Sequence, residues 1–492
     1  MTKSMGSDSI DPRRANRRTA LVGLAAAPIF GRPVHAQDTA DVIVIGAGLS
    51  GLNAALNLEA AGLSVLVLEA ADYVGGRTRT FDLAVGPVNA GGQTVGPYYA
   101  RLRDLITRLK VPTIPAPRSL ALGNSINGAL VAARDWATST ANKTVGLERA
   151  VQPGGLEYFY LSRANNPLPD PESWGEADQA KYDVPLSDYI KGRGASAEAL
   201  RLIDVTVNAV DLASASALAY LRDIKWLEWG VSSTDNTSRG TYDVSSGFNY
   251  HEIAGGTQRL PEAMAAALKN DVRMKSPVRA IDLTDRSVDV TTADGRRYKG
   301  KYAIAAVPFS ALRRIDIRPG LNGPQADAVK SSAHGNSVRV FMEFTQPFWD
   351  DDIGDPGLFS DTAIERVFAN PGDDGKPFAL NAWINGAATE RLDKMPEDAV
   401  ADFVVSEYAR IRPASKGRVK VLTVHSWAKH SASGCCRHVF NAGQVIAWAD
   451  AVATPHGRLH FAGEQTRRIE SGMEAAATTG ERAALEIIER ES

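Results

Sequence analysis

Cysteine is almost absent: two residues in 492, and those two are neighbours, Cys435 and Cys436. A disulfide framework joining distant segments is thereby excluded, and the chain must hold together by its apolar core. Excess charge of one sign is missing too, with 55 Lys and Arg against 57 Asp and Glu for a net charge of -2. That leaves no basic field of the kind nucleic acid requires, so no nucleic-acid partner is expected. The eight histidines are scattered without paired ligand spacing, and no metal site is expected. The apolar run from Ala20 to Phe30 is about 11 residues, well short of the ~20 a bilayer span needs, so no stable membrane span is expected. What is present is ordinary for a globular enzyme: 44% hydrophobic and 23% charged residues. The length exceeds the ~250–300 residues at which single cores stop growing, so two interleaved domains are expected.

The first 36 residues stand apart. A basic stretch containing Arg13, Arg14, Arg17 and Arg18 precedes the apolar run, and Val34-His35-Ala36 follows it. This is the anatomy of a signal peptide. The pair Arg17-Arg18 ahead of Thr19-Ala20-Leu21 resembles a twin-arginine signal, which exports folded proteins and places the mature chain in the periplasm or outside the cell. A disordered basic tail and an uncleaved anchor are the competing readings.

Beyond the leader, Asp41-Val42-Ile43-Val44-Ile45 is a β-branched run of buried-strand type. Gly46-Ala47-Gly48-Leu49-Ser50-Gly51 follows, then helical periodicity from Leu52 to Ala61, then a second buried strand from Ser64 to Leu68 ending at Glu69. Glu69 lies 18 residues after Gly51. A lone Gly-x-Gly-x-x-Gly is weak, but strand, glycine turn, helix, strand and acid together form a dinucleotide-binding unit. Gly46 makes the turn, Gly48 admits a pyrophosphate, and Gly51 seats the helix on the strand. The helix start near Leu49 and Ser50 offers N–H groups and a positive dipole end to phosphate, while Glu69 and Ala70 stand at the adenosine ribose.

The segment from about 85 to 250 mixes helical patterns with Pro-rich turns and gives no firm assignment. Further on, a helix is expected through Leu268, short strands at Val272–Met274 and Val288–Thr292, a turn at Ala293–Arg296 and a strand over Tyr302–Val307. Arg458–Glu464 reads as a short strand ending in Gly463-Glu464, and Met473–Ile488 as a helix with small residues on its first turns.

The motif continues into Gly75-Gly76-Arg77, with Gly91-Gly92-Gln93, Gly255-Gly256-Thr257-Gln258, Pro277-Val278, Phe461–Thr466 and Met473–Ala484 behind it. This set resembles the flavin-dependent amine oxidases, the monoamine and polyamine oxidase group. The resemblance implies an α/β fold with a Rossmann-type FAD-binding domain of the glutathione-reductase type, interleaved with an α+β substrate-binding domain. The implied division is leader 1–36, FAD domain 40–120, 251–310 and 426–488, and substrate region 121–250 and 311–425. It further implies that Gly75, Gly76 and Arg77 lie along the flavin and its phosphates, that Gly92 and Gln93 lie beneath the ring, and that Val278 touches the adenine side. Gly463 and Glu464 would hold the ribityl chain, and Met473 would face the pyrimidine ring. A nicotinamide-binding domain shares the glycine turn but leaves Gly75-Gly76-Arg77 and Gly463-Glu464 unexplained.

The departures concern the substrate side. Aligned from Trp427, Cys436 falls where monoamine oxidases bond their flavin, so a thioether to FAD is one reading; small buried residues or a vicinal disulfide with Cys435 are the others. The two aromatic residues that cage the amine in monoamine oxidases are replaced by Arg437 and Gly472. Arg437, with Arg467 or Arg468, would recognise an acidic part of the substrate, or else is a solvated surface arginine. Arg314 stands at the family's lysine position, where it can orient a water but cannot act as a base.

The implied reaction is hydride transfer from the carbon beside an amine to the flavin, followed by hydrolysis of the imine, with electrons passing to O2 or a protein acceptor. Trp427 would be one wall of the substrate space. Trp226 or Trp229 would stand on the substrate side or, alternatively, pack in the core. Two rivals remain: an amino-acid oxidase or carbon–carbon desaturase on the same fold, and an exported flavoprotein electron carrier with no substrate of its own.

Overall fold

A computed structural model describes residues 38–117, 119–233, 250–372 and 374–492. The expected leader lies outside the described residues.

The first strand, β1 (Thr39–Ile45), is buried on both faces, which is why it reads as an unbroken apolar run. Val42 and Val44 face one hydrophobic cluster, with Leu52 and Leu58, while Ile43 and Ile45 face another, with Tyr298 and Phe461. Each fully buried side chain of this size stabilises the fold by about 1.5–3 kcal/mol. After the glycine turn comes α1 (Leu49–Ala60), then β2 (Val65–Leu68), which pairs parallel to β1 with Val42 opposite Val65.

These strands belong to a seven-stranded sheet. The order runs Asp316–Arg318, Val278–Leu283, Val288–Thr292, Arg297–Ala305, β1, β2, and Leu459–Phe461 pairs parallel with the C-terminal half of Arg297–Ala305. The N-terminal and C-terminal parts of the chain thus share one layer. The C-terminal helix, Gly472–Glu491, lies against α1. Their contact is close because small residues permit it: a Cβ on Gly480 would stand 2.1 Å from Ser50 O, and Asn53 Nδ2 donates to Ala477 O at 2.8 Å.

A second seven-stranded sheet runs Val419–Ser426, Ser337–Phe344, Pro377–Asn385, Arg366–Pro371, Gly357–Ser360, Leu122–Ile126, Ala129–Val131. Helices Leu186–Gly192, Ala197–Thr206 and Ala217–Ser233 occupy the stretch that the sequence left unassigned.

Several expectations change. Val272–Met274 is not a strand; it contributes one bridge, with Arg273 N donating to Val67 O and Glu69 N to Arg273 O. The helix expected through Leu268 ends at Ala266, and the strand expected over Tyr302–Val307 spans Arg297–Ala305. A boundary at 310 cuts the first sheet, since Asp316–Arg318 pairs with Val278–Leu283. No helix among the described residues is long and apolar enough to cross a membrane.

Candidate functional site

A cavity of about 660 Å³ opens along the first sheet's glycine turn and reaches the second sheet. At its dinucleotide end, Gly46 has φ +105°, and a Cβ there would stand 2.7 Å from Ala306 O. Gly51 does not line the cavity: a Cβ on it would stand 1.9 Å from Gly46 O, so its task is the turn itself. Gly75, also at positive φ, donates its N–H to Ala47 O at 2.8 Å, laying the Gly75-Gly76 turn along Gly48. No side chain caps α1 at Gly48, and Gly48, Leu49 and Ser50 line the cavity. An uncapped helix start facing a cavity is a built anion site.

Glu69, 6% exposed, closes this end. Oε2 accepts from Ala47 N and Oε1 from Ala71 N, both at 2.7 Å. Burial pushes its carboxyl up against these bonds. Two of a carboxylate's roughly four lone-pair sites are taken, leaving acceptor capacity for hydroxyls. Ala70 and Val278 line the same end.

At the other end, Gly463 has φ +121° and its N–H donates to Thr479 Oγ1. Glu464 accepts from Arg467 Nη1 at 2.9 Å, His438 N at 3.2 Å and Arg77 Nη1 at 3.4 Å. Burial alone would raise the Glu464 carboxyl; Arg467, Arg77 and Arg437 override it and hold it down at about 2. Arg77 also donates to Cys436 O at 3.2 Å, tying the Gly-Gly-Arg turn to the cysteine segment. Gly92 and Met473 line the cavity in contact, since a Cβ on Gly92 would stand 2.4 Å from Met473 Sδ. Gln93 lines it too, with Nε2 donating to Glu252 Oε1 at 3.1 Å.

The cysteines divide. Both are free, so they form no vicinal disulfide. Cys435 is buried and accepts from Ser310 Oγ, whereas Cys436 lines the cavity.

Trp427 is not a cavity wall. It is fully buried, donates Nε1–H to Ala90 O at 3.0 Å and backs Gly91, so it supports the Ala90–Gly92 segment from behind. Its fused rings fill a core with Val88 and Phe341, which is why an apolar position dominates over exposure. Arg314 lines the cavity, but its Nη2 donates to Ser431 O at 3.0 Å and Ala432 O at 3.3 Å, fastening two segments of the rim. Arg437 and Gly472 both line the cavity, and Arg437 pairs with Asp223 at 3.2 Å. It is therefore no solvated surface arginine. Arg467 and Arg468 do not line the cavity: the first is buried on Glu464 and the second pairs with Asp450. Trp226 is buried, stacked on Tyr99 at 5.5 Å, and it is Tyr99 that lines the cavity; Trp229 is exposed outside it.

Sequence reasoning missed the second sheet's contribution. Arg339 and Trp383 from its strands line the cavity, with Asn385. It also missed a pair on the first side: His430 Nδ1 accepts from Ser433 N, which leaves the proton on Nε2, donated to Tyr73 Oη at 2.6 Å. Nothing in their local sequence marks these residues, because only pairing between distant strands brings them to one wall. Among the described residues no group of three or more His, Cys, Asp or Glu could hold a metal ion.

These features fit FAD: an uncapped helix start for the pyrophosphate, a buried carboxylate at one end, and a glycine-floored slot against Met473 at the other. A sequence profile of the flavin containing amine oxidoreductases matches residues 49–488. The chain is 29% identical over 468 residues to the flavin-containing amine oxidase of Oncorhynchus mykiss, covering 92% of this chain and 86% of that protein. It is 28% identical to flavin-containing amine oxidase B of Bos taurus, covering 91% of this chain and 86% of that protein. Among solved structures, cyclohexylamine oxidase from Brevibacterium oxydans superposes with a TM-score of 0.74 at 22% identity, covering 92% of this chain and 99% of that one. Putrescine oxidase bound to putrescine gives 0.70, also at 22% identity, with the same coverage. The chain belongs to the flavin-containing amine oxidoreductases, FAD-dependent enzymes that oxidise amines.

Proposed function

We propose that this chain oxidises an amine at the carbon bearing the nitrogen, in the part of the cavity lined by Gly92, Cys436, Arg437, Gly472 and Met473, with O2 or a protein as the final electron acceptor. The reading rests on one observation: Gly46, Gly48, Leu49, Ser50 and Glu69 from the N-terminal unit and Glu464 and Met473 from the C-terminal one meet in a single cavity. FAD, when bound, supplies the acceptor for a hydride from that carbon.

The chain's own residues bind and orient. The N–H groups of Gly48, Leu49 and Ser50 would hold the pyrophosphate of FAD, and Glu69 would accept from its adenosine ribose. Glu464, locked by Arg77 and Arg467, would present a fixed carboxylate to the ribityl chain. The positive dipole end at the start of the helix Gly472–Glu491 would stabilise negative charge on the reduced ring. Trp427 keeps the Ala90–Gly92 floor in place. Arg314 fastens the rim through the Ser431 and Ala432 carbonyls. Cys436 is the cysteine we assign to a thioether with the flavin, since it faces the cavity and Cys435 does not. Acid precipitation reads this: yellow colour staying with the protein supports the bond, and colour in the supernatant removes it.

Export through the Arg17-Arg18 leader completes the proposal. Fractionation of cells expressing the whole chain would place it outside the cytoplasm, and an Arg17→Lys/Arg18→Lys variant would remain inside. The function itself is tested by product analysis. Primary, secondary, polyamine and acidic amine substrates are supplied in turn, and ammonia or amine is measured with the matching aldehyde or ketone. Product from at least one class is expected; none from any class contradicts the reading.

A further inference from the structure

The second sheet places a cation in the cavity wall with no counter-charge. Arg339, on the strand Ser337–Phe344, is 3% exposed and lines the cavity. Its guanidinium lies over Trp383 at 3.3 Å from the ring centroid. Nη1 donates to the Asn381 carboxamide oxygen at 2.8 Å once that amide is oriented to satisfy both ends, and Nε has no partner among the described residues. No ion pair of Arg339 occurs among the described residues, and burial holds its pKa below the ordinary arginine value.

The neighbouring acids are engaged elsewhere. Asp223 pairs with Arg222 at 2.5 Å and with Arg437 at 3.2 Å, and Glu365 accepts from Asn385 N at 2.8 Å while facing Arg366. Arg366, 5.1 Å from the same Trp383 ring, is faced by both Glu365 and Glu157, so those acids serve Arg366 rather than Arg339. A buried charge without a partner is strongly unfavourable, and arginine cannot relieve it by giving up its proton. The anion must come from the cavity. Stacking on Trp383 fixes the guanidinium plane and turns its N–H edge to a planar, two-oxygen partner. Asn336 Oδ1, also on the cavity and without a partner among the described residues, is an acceptor suited to an amine N–H.

We propose that the substrate is an amine that also carries a carboxylate, as in an amino acid, and that Arg339 receives that carboxylate. The inference rests on the amine oxidation proposed above and specifies its substrate class. A plain amine cation would meet the uncompensated charge of Arg339, since Asp223 is already taken by Arg222 and Arg437.

The test uses FAD-loaded enzyme and matched pairs: phenylalanine with phenethylamine, leucine with isoamylamine, glutamate with 4-aminobutyrate. Wild-type enzyme is expected to favour at least one α-amino acid over its decarboxylated partner by about tenfold or more in kcat/KM. Arg339→Gln is expected to raise KM for that amino acid by a similar factor with little change in kcat, and Arg339→Lys to recover part of it. Benzoate supplies a readout that needs neither turnover nor a folded variant: it should perturb the visible flavin spectrum of wild-type enzyme saturably, while benzyl alcohol should not. Bleaching by plain amines with equal or better efficiency, and no benzoate effect, overturns the carboxylate proposal and leaves amine oxidation standing. Saturable benzoate binding with no oxidation of any amine or amino acid does the reverse.

Discussion

At the scale of single residues, the site depends on two buried carboxylates treated in opposite ways. Glu69 sits on two backbone N–H groups with its pKa raised by burial, while Glu464 is held at about 2 by three arginines that outweigh burial. Removing Glu464 leaves Arg467, 2% exposed, without its counter-charge. Glu464→Gln should therefore lower stability by about 3 kcal/mol, measurable by denaturant titration, because a buried charge is stranded. Its pH dependence has a definite sign. A carboxyl whose pKa falls from 4.5 unfolded to about 2 folded contributes stability above pH 4.5 and loses it as pH drops toward 2. The acid limb of the wild-type stability curve should flatten in the variant over that window. Glu69→Ala should purify with much less FAD than wild type, read from the ratio of flavin to protein absorbance; full occupancy would remove Glu69 from the site. Glu69 was legible because it ends a short apolar strand 18 residues after Gly51, and Glu464 through the resemblance carried by Phe461–Thr466. Arg339 was not: in Ser337–Phe344 it is one of three polar residues, with Ser337 and Glu343, and its meaning comes from Trp383, 44 positions away.

At the scale of elements, the contact between α1 and the helix Gly472–Glu491 joins the two halves of the cofactor site. Gly480→Ala puts a methyl group against Ser50 O, and such overpacking should cost about 1–3 kcal/mol, visible as a lower melting temperature with weakened FAD retention. The same C-terminal helix reaches another: Glu474 Oε1 and Oε2 accept from Arg101 N and Leu102 N at the start of Ala100–Arg108. Burial pushes the Glu474 carboxyl up to about 7. A raised carboxyl stabilises the fold fully below its unfolded value of 4.5, and that contribution fades as pH rises to about 7. Glu474→Gln should thus remove a downward slope in stability between pH 4.5 and 7, followed by thermal melts across that range. Helices and strands with strong periodicity were readable: Val288–Thr292 was assigned to the residue, and α1 to within three at its start. Val272–Met274 misled because the apolar alternation of Val272 and Met274 around Arg273 serves one bridge, not a strand. Trp427 misled in another way, since an aromatic beside the flavin segment is compatible with either a wall or its backing, and packing against Val88 and Phe341 decides for the backing.

At the scale of the whole molecule, the chain starts in its first sheet and returns to it twice, and the cavity lies where that sheet meets the second. The cofactor half was legible because glycines, helix start and terminal acids lie in compact motifs. The substrate half was not, because it is assembled from strands of the second sheet and from helices within the Pro-rich stretch, whose positions follow only from long-range pairing. FAD held in this cavity would receive the hydride of an amine. Anaerobic mixing of the purified, FAD-loaded protein with single amines and amino acids, while the visible flavin absorbance is followed, tests it most directly. The yellow colour is expected to bleach with at least one of them and to return on addition of an electron acceptor; flavin that stays oxidised with every one would mean that the cavity does not oxidise amines.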